Sequence, residues 1–253
     1  MAKRPRELIG GPPPRGLESE IRRVLAPMLD QIRATLPRLR TPGDAVRLGR
    51  ALRRVWSDAK LERAIRRVIV RAEQRAGVGW AKWERIKAAR DQRRDAADYD
   101  GEALIDKWTK QAVARISGIR DEVAERMRKD IAAALKAGTD PAELAERWRR
   151  EGLPLDRGTA EGRLRVIAQH QLASLHAQVQ SARARALGVR DFVWHTQEDD
   201  RVREAHRALH GRVFAYDDPP SEGLPGEPIN CRCWAESVVP DEFTIPIGSA
   251  FDT

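Results

Sequence analysis

Apolar residues recur every three or four positions along most of this chain, the spacing of one buried helix face. Ile21, Leu25, Met28, Ile32 and Leu36 begin the pattern, which Pro37 and Pro42 interrupt. From Thr41 or Asp44 a longer helical region is predicted to run to about Arg94. Its stripe is Leu48, Leu52, Val55, Trp56 and Ala59, continued by Leu61, Ile65, Val68, Ile69 and Ala72. Gly77 and Gly79 predict a break beside Trp80 and Trp83, which read as core residues or interface anchors. The cleanest signal spans Gly101 to Lys136, where Ile105, Trp108, Ala112, Ile116, Ile119, Val123, Met127, Ile131 and Leu135 form one face. At 1.5 Å per residue such a helix is roughly 50 Å long. Asp140, Pro141 and Glu143 predict a new helix start, with Asp140 as cap, and Gly152-Leu153-Pro154 its stop. A further helix is predicted from about Thr159 to Ala186, with Ile167, Gln171, Leu175, Val179, Ala182 and Ala186 on its face.

After Gly188 the period changes. Asp191–Thr196 and Arg212–Tyr216 alternate as strands do, and Cys231–Val239 suits a third. Between the first two lies DDRVREAHRALHG, read as a short polar helix that Asp199 or Asp200 caps and Gly211 ends. The predicted fold is mainly α: long N-terminal helices followed by a small α+β C-terminal domain. The expected organisation is a flexible basic arm at 1–16 and a helical body at 17–156. A C-terminal domain follows at 157–240, then a tail at 241–253.

Charge is distributed unevenly. Residues 1–94 hold 25 Lys and Arg against 10 Asp and Glu, whereas the remainder holds 22 against 28. The excess positive charge of the first part suits a polyanion, nucleic acid or an acidic protein surface; the alternative is an ordinary solvated helical surface. No apolar run is long enough for a membrane span, and the N-terminus lacks the apolar core of a secretory signal. Two cysteines separated by one residue exclude a disulfide framework and favour a reduced setting.

The candidate chemistry is concentrated near the C-terminus. On the predicted short helix, Asp199, Arg203, His206 and His210 advance by four, three and four, and so share a face. An Asp199–Arg203 ion pair would clamp it. His206 and His210 have the i, i+4 spacing of two zinc ligands. Cys231 and Cys233 lie on one side of an extended segment when Arg232 points away. Together the four make a closed tetrahedral zinc set; the alternative is a hydrogen-bonded core of small buried thiols with His206. A Cys–His nucleophilic pair can also be drawn, but no glutamate follows His206 as a metalloprotease base would, and there is no nucleophile elbow or phosphate loop.

An ordered series of residues carries a family resemblance. Leu187-Gly188-Val189 ends a helix and is followed by Phe192, Trp194, Thr196 and Asp199. Then come Arg201-Val202-Arg203, His206, Leu209, Gly211 and Val213-Phe214, a Pro-containing loop, and Pro228-Ile229-Asn230-Cys231-Arg232-Cys233. Over about residues 157–240 this resembles the Mu F-like minor head proteins of tailed bacteriophages. One departure is Ile167–Gln171, where family members often carry an acid. The resemblance implies a structural head protein rather than an enzyme. It implies several copies in the capsid interior near the portal vertex, and the host cytoplasm during assembly. The implied partners are the portal protein, the major capsid protein and phage DNA, with roles in head assembly and in DNA packaging or ejection. Only about 20 residues follow Cys233, so no appended effector domain is expected. Two other readings stand beside it: a basic DNA-binding packaging factor, and a zinc-dependent hydrolase or nuclease, which needs an open metal position.

Overall fold

A computed structural model describes residues 8–13, 16–35, 38, 41–55, 57–91, 99–139, 141–152 and 158–240. The predicted arm at 1–7, Leu36, Pro37, Trp56, the Asp140 cap, Leu153-Pro154 and the 241–253 tail lie outside the described residues, as do the side chains of Leu25, Met28, Ile32, Val55 and Leu135. The helices are α1 (Leu17–Thr35), α2 (Pro42–Val55), α3 (Asp58–Gly77), α4 (Ala81–Asp91), α5 (Gly101–Lys136), α6 (Pro141–Glu151), α7 (Ala160–Ala186) and α8 (Glu204–Arg207). The strands are β1 (Leu8–Gly10), β2 (Asp191–His195), β3 (Val213–Ala215) and β4 (Trp234–Val238). The mainly α class with a small C-terminal sheet is what the periodicity predicts.

Local chemistry explains the helix ends. Thr41 and Asp44 act together: the Asp44 N–H donates to Thr41 Oγ1 (3.3 Å) and the Thr41 N–H to Asp44 Oδ2 (2.7 Å), a reciprocal cap that starts α2. The predicted helical region to Arg94 breaks once more than expected. The Ser57 carbonyl accepts the N–H groups of Lys60 and Leu61 (2.9 and 3.0 Å), so α3 starts anew there. Asp100 caps α5 through the Ala103 N–H (2.8 Å), and Thr159 caps α7 through the Gly162 N–H (3.2 Å). Gly188, at φ +74°, ends α7, with the Val189 N–H returning to the Ala184 carbonyl (2.9 Å).

The chain divides into two compact units, each discontinuous in sequence: residues 1–15, 70–104 and 172–253, and residues 16–69 and 105–171. This differs from the linear division at residue 157. Sequence order misleads because packing and strand pairing, not proximity along the chain, define a unit.

The second unit is helical. Ile105, Trp108, Ala112, Ile116, Ile119, Val123, Met127 and Ile131 of α5 are all buried, as the stripe predicts. Leu48, Leu52, Leu61, Ile65, Val68 and Ile69 of α2 and α3 are buried too. Gly49 lets α2 approach α5, since a Cβ there would lie 3.3 Å from that of Ala124. The buried Ser117 Oγ and Arg120 Nη1 donate to Oδ1 of the exposed Asp58 (2.7 and 3.0 Å).

The first unit carries the sheet, in the order β1-β4-β2-β3 with every pair antiparallel. The predicted arm thus supplies a strand: Leu8–Gly10 pairs with Val238–Glu236 and satisfies one edge of β4. The apolar core joins Ile9, Trp80, Trp83, Ala184, Leu187, Phe192, Trp194, Tyr216 and Ala235. Trp80 and Trp83 are therefore core residues. Within α7, only Gln178 between Leu172 and Ser181 is not buried, so a single stripe describes that stretch poorly. Its Ala and Ser residues let neighbours approach from several sides.

This unit also buries polar groups. Arg183 Nη2 donates to Glu73 (2.7 Å), its Nη1 to Glu84, and its guanidinium lies 4.2 Å from the Tyr99 ring centroid. Trp80 Nε1–H donates to Gln180 Oε1 (2.6 Å), and Gln180 Nε2 to the Ala76 carbonyl (2.9 Å). His176 Nε2–H donates to the Gly11 carbonyl at 2.9 Å.

Candidate functional site

Residues 196–210 form a loop closed by the pairing of β2 and β3. The Gly211 N–H reaches the Trp194 carbonyl (2.8 Å), and the Trp194 N–H reaches that of Arg212 (2.9 Å). The predicted helix over 199–210 is shorter than expected: only Glu204–Arg207 is helical, flanked by turns. Asp199 starts a local turn instead, its Oδ1 accepting the Arg201 N–H at 3.2 Å. With most of the helix absent, the expected common face of Asp199, Arg203, His206 and His210 does not form. The Asp199–Arg203 ion pair is replaced as well. Asp199 binds Arg232, which holds its carboxyl below the usual carboxylate range, while Arg203 donates to the Ile229 carbonyl.

The cysteines reach the same place from a turn. The Cys231 N–H closes on the Pro228 carbonyl (2.9 Å), with Asn230 at φ +60°, the third position of a turn that needs a left-handed residue. Beyond it the backbone is extended, Arg232 turns to Asp199, and both thiols turn inward. Cys231 Sγ and Cys233 Sγ each lie 3.5 Å from His206 Nδ1. All three side chains are buried, and their donor atoms lie within 4.8 Å of one another. The edge of Trp194 meets the His206 ring at 5.4 Å and 78°.

His210 lies apart. Its Nδ1 accepts the Thr196 N–H (3.1 Å), with the Thr196 hydroxyl also close (3.0 Å), so the proton sits on Nε2, 3.1 Å from Glu198. His210 ties the loop ends together, and the expected set of four reduces to His206, Cys231 and Cys233.

Three surrounding residues escaped the sequence analysis in this role. Glu222 accepts from His206 Nε2 at 3.1 Å. The Gly226 N–H donates to Cys231 Sγ at 3.4 Å. The Trp194 indole N–H is buried near the trio without a hydrogen-bond partner. Glu222 and Gly226 sit in a Pro/Gly-rich loop without periodicity, where no spacing marks them. Gly226 itself has a reason to be glycine. At φ +96° a Cβ would lie 3.0 Å from the Ala173 carbonyl and 3.2 Å from the Ala177 Cβ.

The hydrogen bond to Cys233, with the Gly226 N–H and His206 nearby, holds the Cys231 thiol below its ordinary value. The hydrogen bond to Cys231, together with burial, pushes the Cys233 thiol up. A cavity of about 90 Å³ opens beside the trio, lined by Arg201, Val202, Arg203, Asn230 and Arg232 as well as the three ligand-type residues.

Residues 125–236 match the family described as Phage Mu protein F like protein, so that segment is similar to this phage family. The match begins inside α5, well before residue 157. A protein of Haemophilus influenzae, described only as uncharacterized, is 29% identical over 130 residues, covering 51% of this chain. The aligned part is 28% of that relative, so the chain spans under a third of its length. No solved structure matches the chain. Among the described residues, no helix is long and apolar enough to cross a membrane.

Proposed function

We propose that this protein is a structural minor head protein, held in several copies inside the capsid near the portal, where it assists head assembly. The observation that carries this reading is the Mu F-like segment over residues 125–236, which includes α6, α7, the β2–β3 loop and the Cys-Arg-Cys turn. The portal and major capsid proteins are its partners. The regular faces of α2, α3 and α5 support an assembly role, since they are strongly charged outside the buried stripe.

DNA is a further partner in this reading. Arg50, Arg54, Arg63 and Arg67 are exposed on α2 and α3 and belong to the basic first part of the chain. Contacts from such side chains go to phosphates, so binding falls with salt and ignores sequence.

The test is co-expression of the full chain with its phage's portal and major capsid proteins. A few copies per purified head, lost when the portal protein is omitted, is the expected result. Heads of normal shape and DNA content formed without the chain would remove the assembly role. DNA retardation that persists at high salt and depends on sequence would remove the phosphate-contact reading.

A further inference from the structure

His206 Nδ1 has one lone pair, since its ring holds a proton on Nε2 for the Glu222 carboxylate. Two sulfurs nevertheless lie at the same 3.5 Å from that single nitrogen. One lone pair accepts one S–H, so a network of neutral hydrogen bonds accounts for one contact and leaves the other without a role. A cation between the three atoms accounts for both. With metal–nitrogen and metal–sulfur bonds of about 2.0 and 2.3 Å and tetrahedral angles, the N···S separation is about 3.5 Å. The surroundings agree. A carboxylate on the distal nitrogen of a metal-bound histidine fixes its tautomer and orientation. The Gly226 N–H on Cys231 Sγ stabilises a thiolate rather than a thiol.

We infer that His206 Nδ1, Cys231 Sγ and Cys233 Sγ bind one zinc ion, with Glu222 orienting the histidine and the fourth position open to the adjacent cavity. Two thiolates and a neutral imidazole balance the charge of the ion, and any thiol protons leave to solvent on binding. His210, engaged by Thr196 and Glu198, is not a ligand. Arg201, Arg203, Asn230 and Arg232 line the cavity, so the fourth ligand is water or a small anion drawn by their charge. This inference rests on the geometry of the trio and is independent of any place in the capsid.

The experiment is metal analysis of the full chain by native mass spectrometry and elemental analysis, followed by replacement with Co²⁺. One zinc per chain is expected. It is lost in His206→Ala, Cys231→Ser and Cys233→Ser and kept in His210→Ala. Glu222→Gln should keep the metal but release it to a competing chelator 10- to 100-fold more readily, roughly the effect of removing such a partner. Because the cysteine variants can fail to fold, the decisive readout is the wild-type cobalt spectrum. Thiolate-to-cobalt charge-transfer bands are expected, with ligand-field bands that shift on adding imidazole. A folded wild-type chain that takes up neither Zn²⁺ nor Co²⁺ overturns the site. Loss of metal in His210→Ala overturns the three-ligand set, and a cobalt spectrum indifferent to imidazole overturns the open position.

Discussion

The helical unit and the sheet-bearing unit use different physics. In the former, one long face of α5 is buried at repeated apolar positions, with Arg120 as a buried charge that pairs with the exposed Asp58. In the latter, the apolar core is threaded with buried polar groups: Arg183 with Glu73 and Glu84, Gln180 with Trp80, Tyr216 with Ser237 at 2.7 Å, and His206 with two thiols. Apolar contacts are interchangeable among side chains of similar volume, whereas a buried polar pair depends on one donor meeting one acceptor. The helical unit is therefore expected to tolerate conservative change and the sheet-bearing unit to resist it.

The sharpest break of this contrast is Arg183→Met. Methionine fills much of the space but leaves two carboxylates facing each other without their cation. Side-chain exposure is 13% at Arg183 and 11% at Glu73, so about 3 kcal/mol should be lost in urea unfolding. An unchanged midpoint would show that the pair is not a clamp. Next in size is Asn230→Ala, expected to cost about 1 kcal/mol because alanine resists a left-handed backbone, while Asn230→Gly should cost little. Equal losses in the two variants would mean that the side chain, not the turn, matters. In the helical unit, Ile119→Val should cost about 1 kcal/mol, through lost volume alone, and leave the sheet's amide exchange untouched.

A fourth effect depends on pH. Burial lowers the affinity of His176 for a proton, with the hydrogen bond to Gly11 only partly opposing this. The unfolded chain then takes up that proton first as pH falls. Stability from this residue is complete above the ordinary histidine value of 6.5 and declines below it. His176→Gln should flatten that acid-side decline, and an unaltered pH profile would assign it elsewhere. The smallest effect is Arg53→Gln, at a pair exposed on both sides (62% and 44%), where no measurable shift in midpoint is expected at physiological salt.

The candidate site shows how far sequence carries. His206, Cys231 and Cys233 were legible by type, and the inward turn of both cysteines followed from Arg232 pointing away. His210 was misassigned because the i, i+4 argument assumed a full helix, and the chain spends only four residues on one. Turn chemistry at Asp199 and the closure at Gly211 outcompeted helical propensity there. Glu222 and Gly226 had no periodic signal to betray them.

By itself the sequence determined the long helices, the buried face of α5 and the ordered motif that resembles the Mu F-like family. These are consequences of spacing along the chain, which repeats within a few residues. Only the tertiary structure decided that Leu8–Gly10 completes the sheet and that Trp80 packs with Phe192 and Trp194. It alone decided that Arg183 finds Glu73 and Glu84, and that His206 meets two thiols while His210 does not. Those pairings join residues far apart in sequence. Backbone closure and the match of donor to acceptor select them, and neither leaves a period to read.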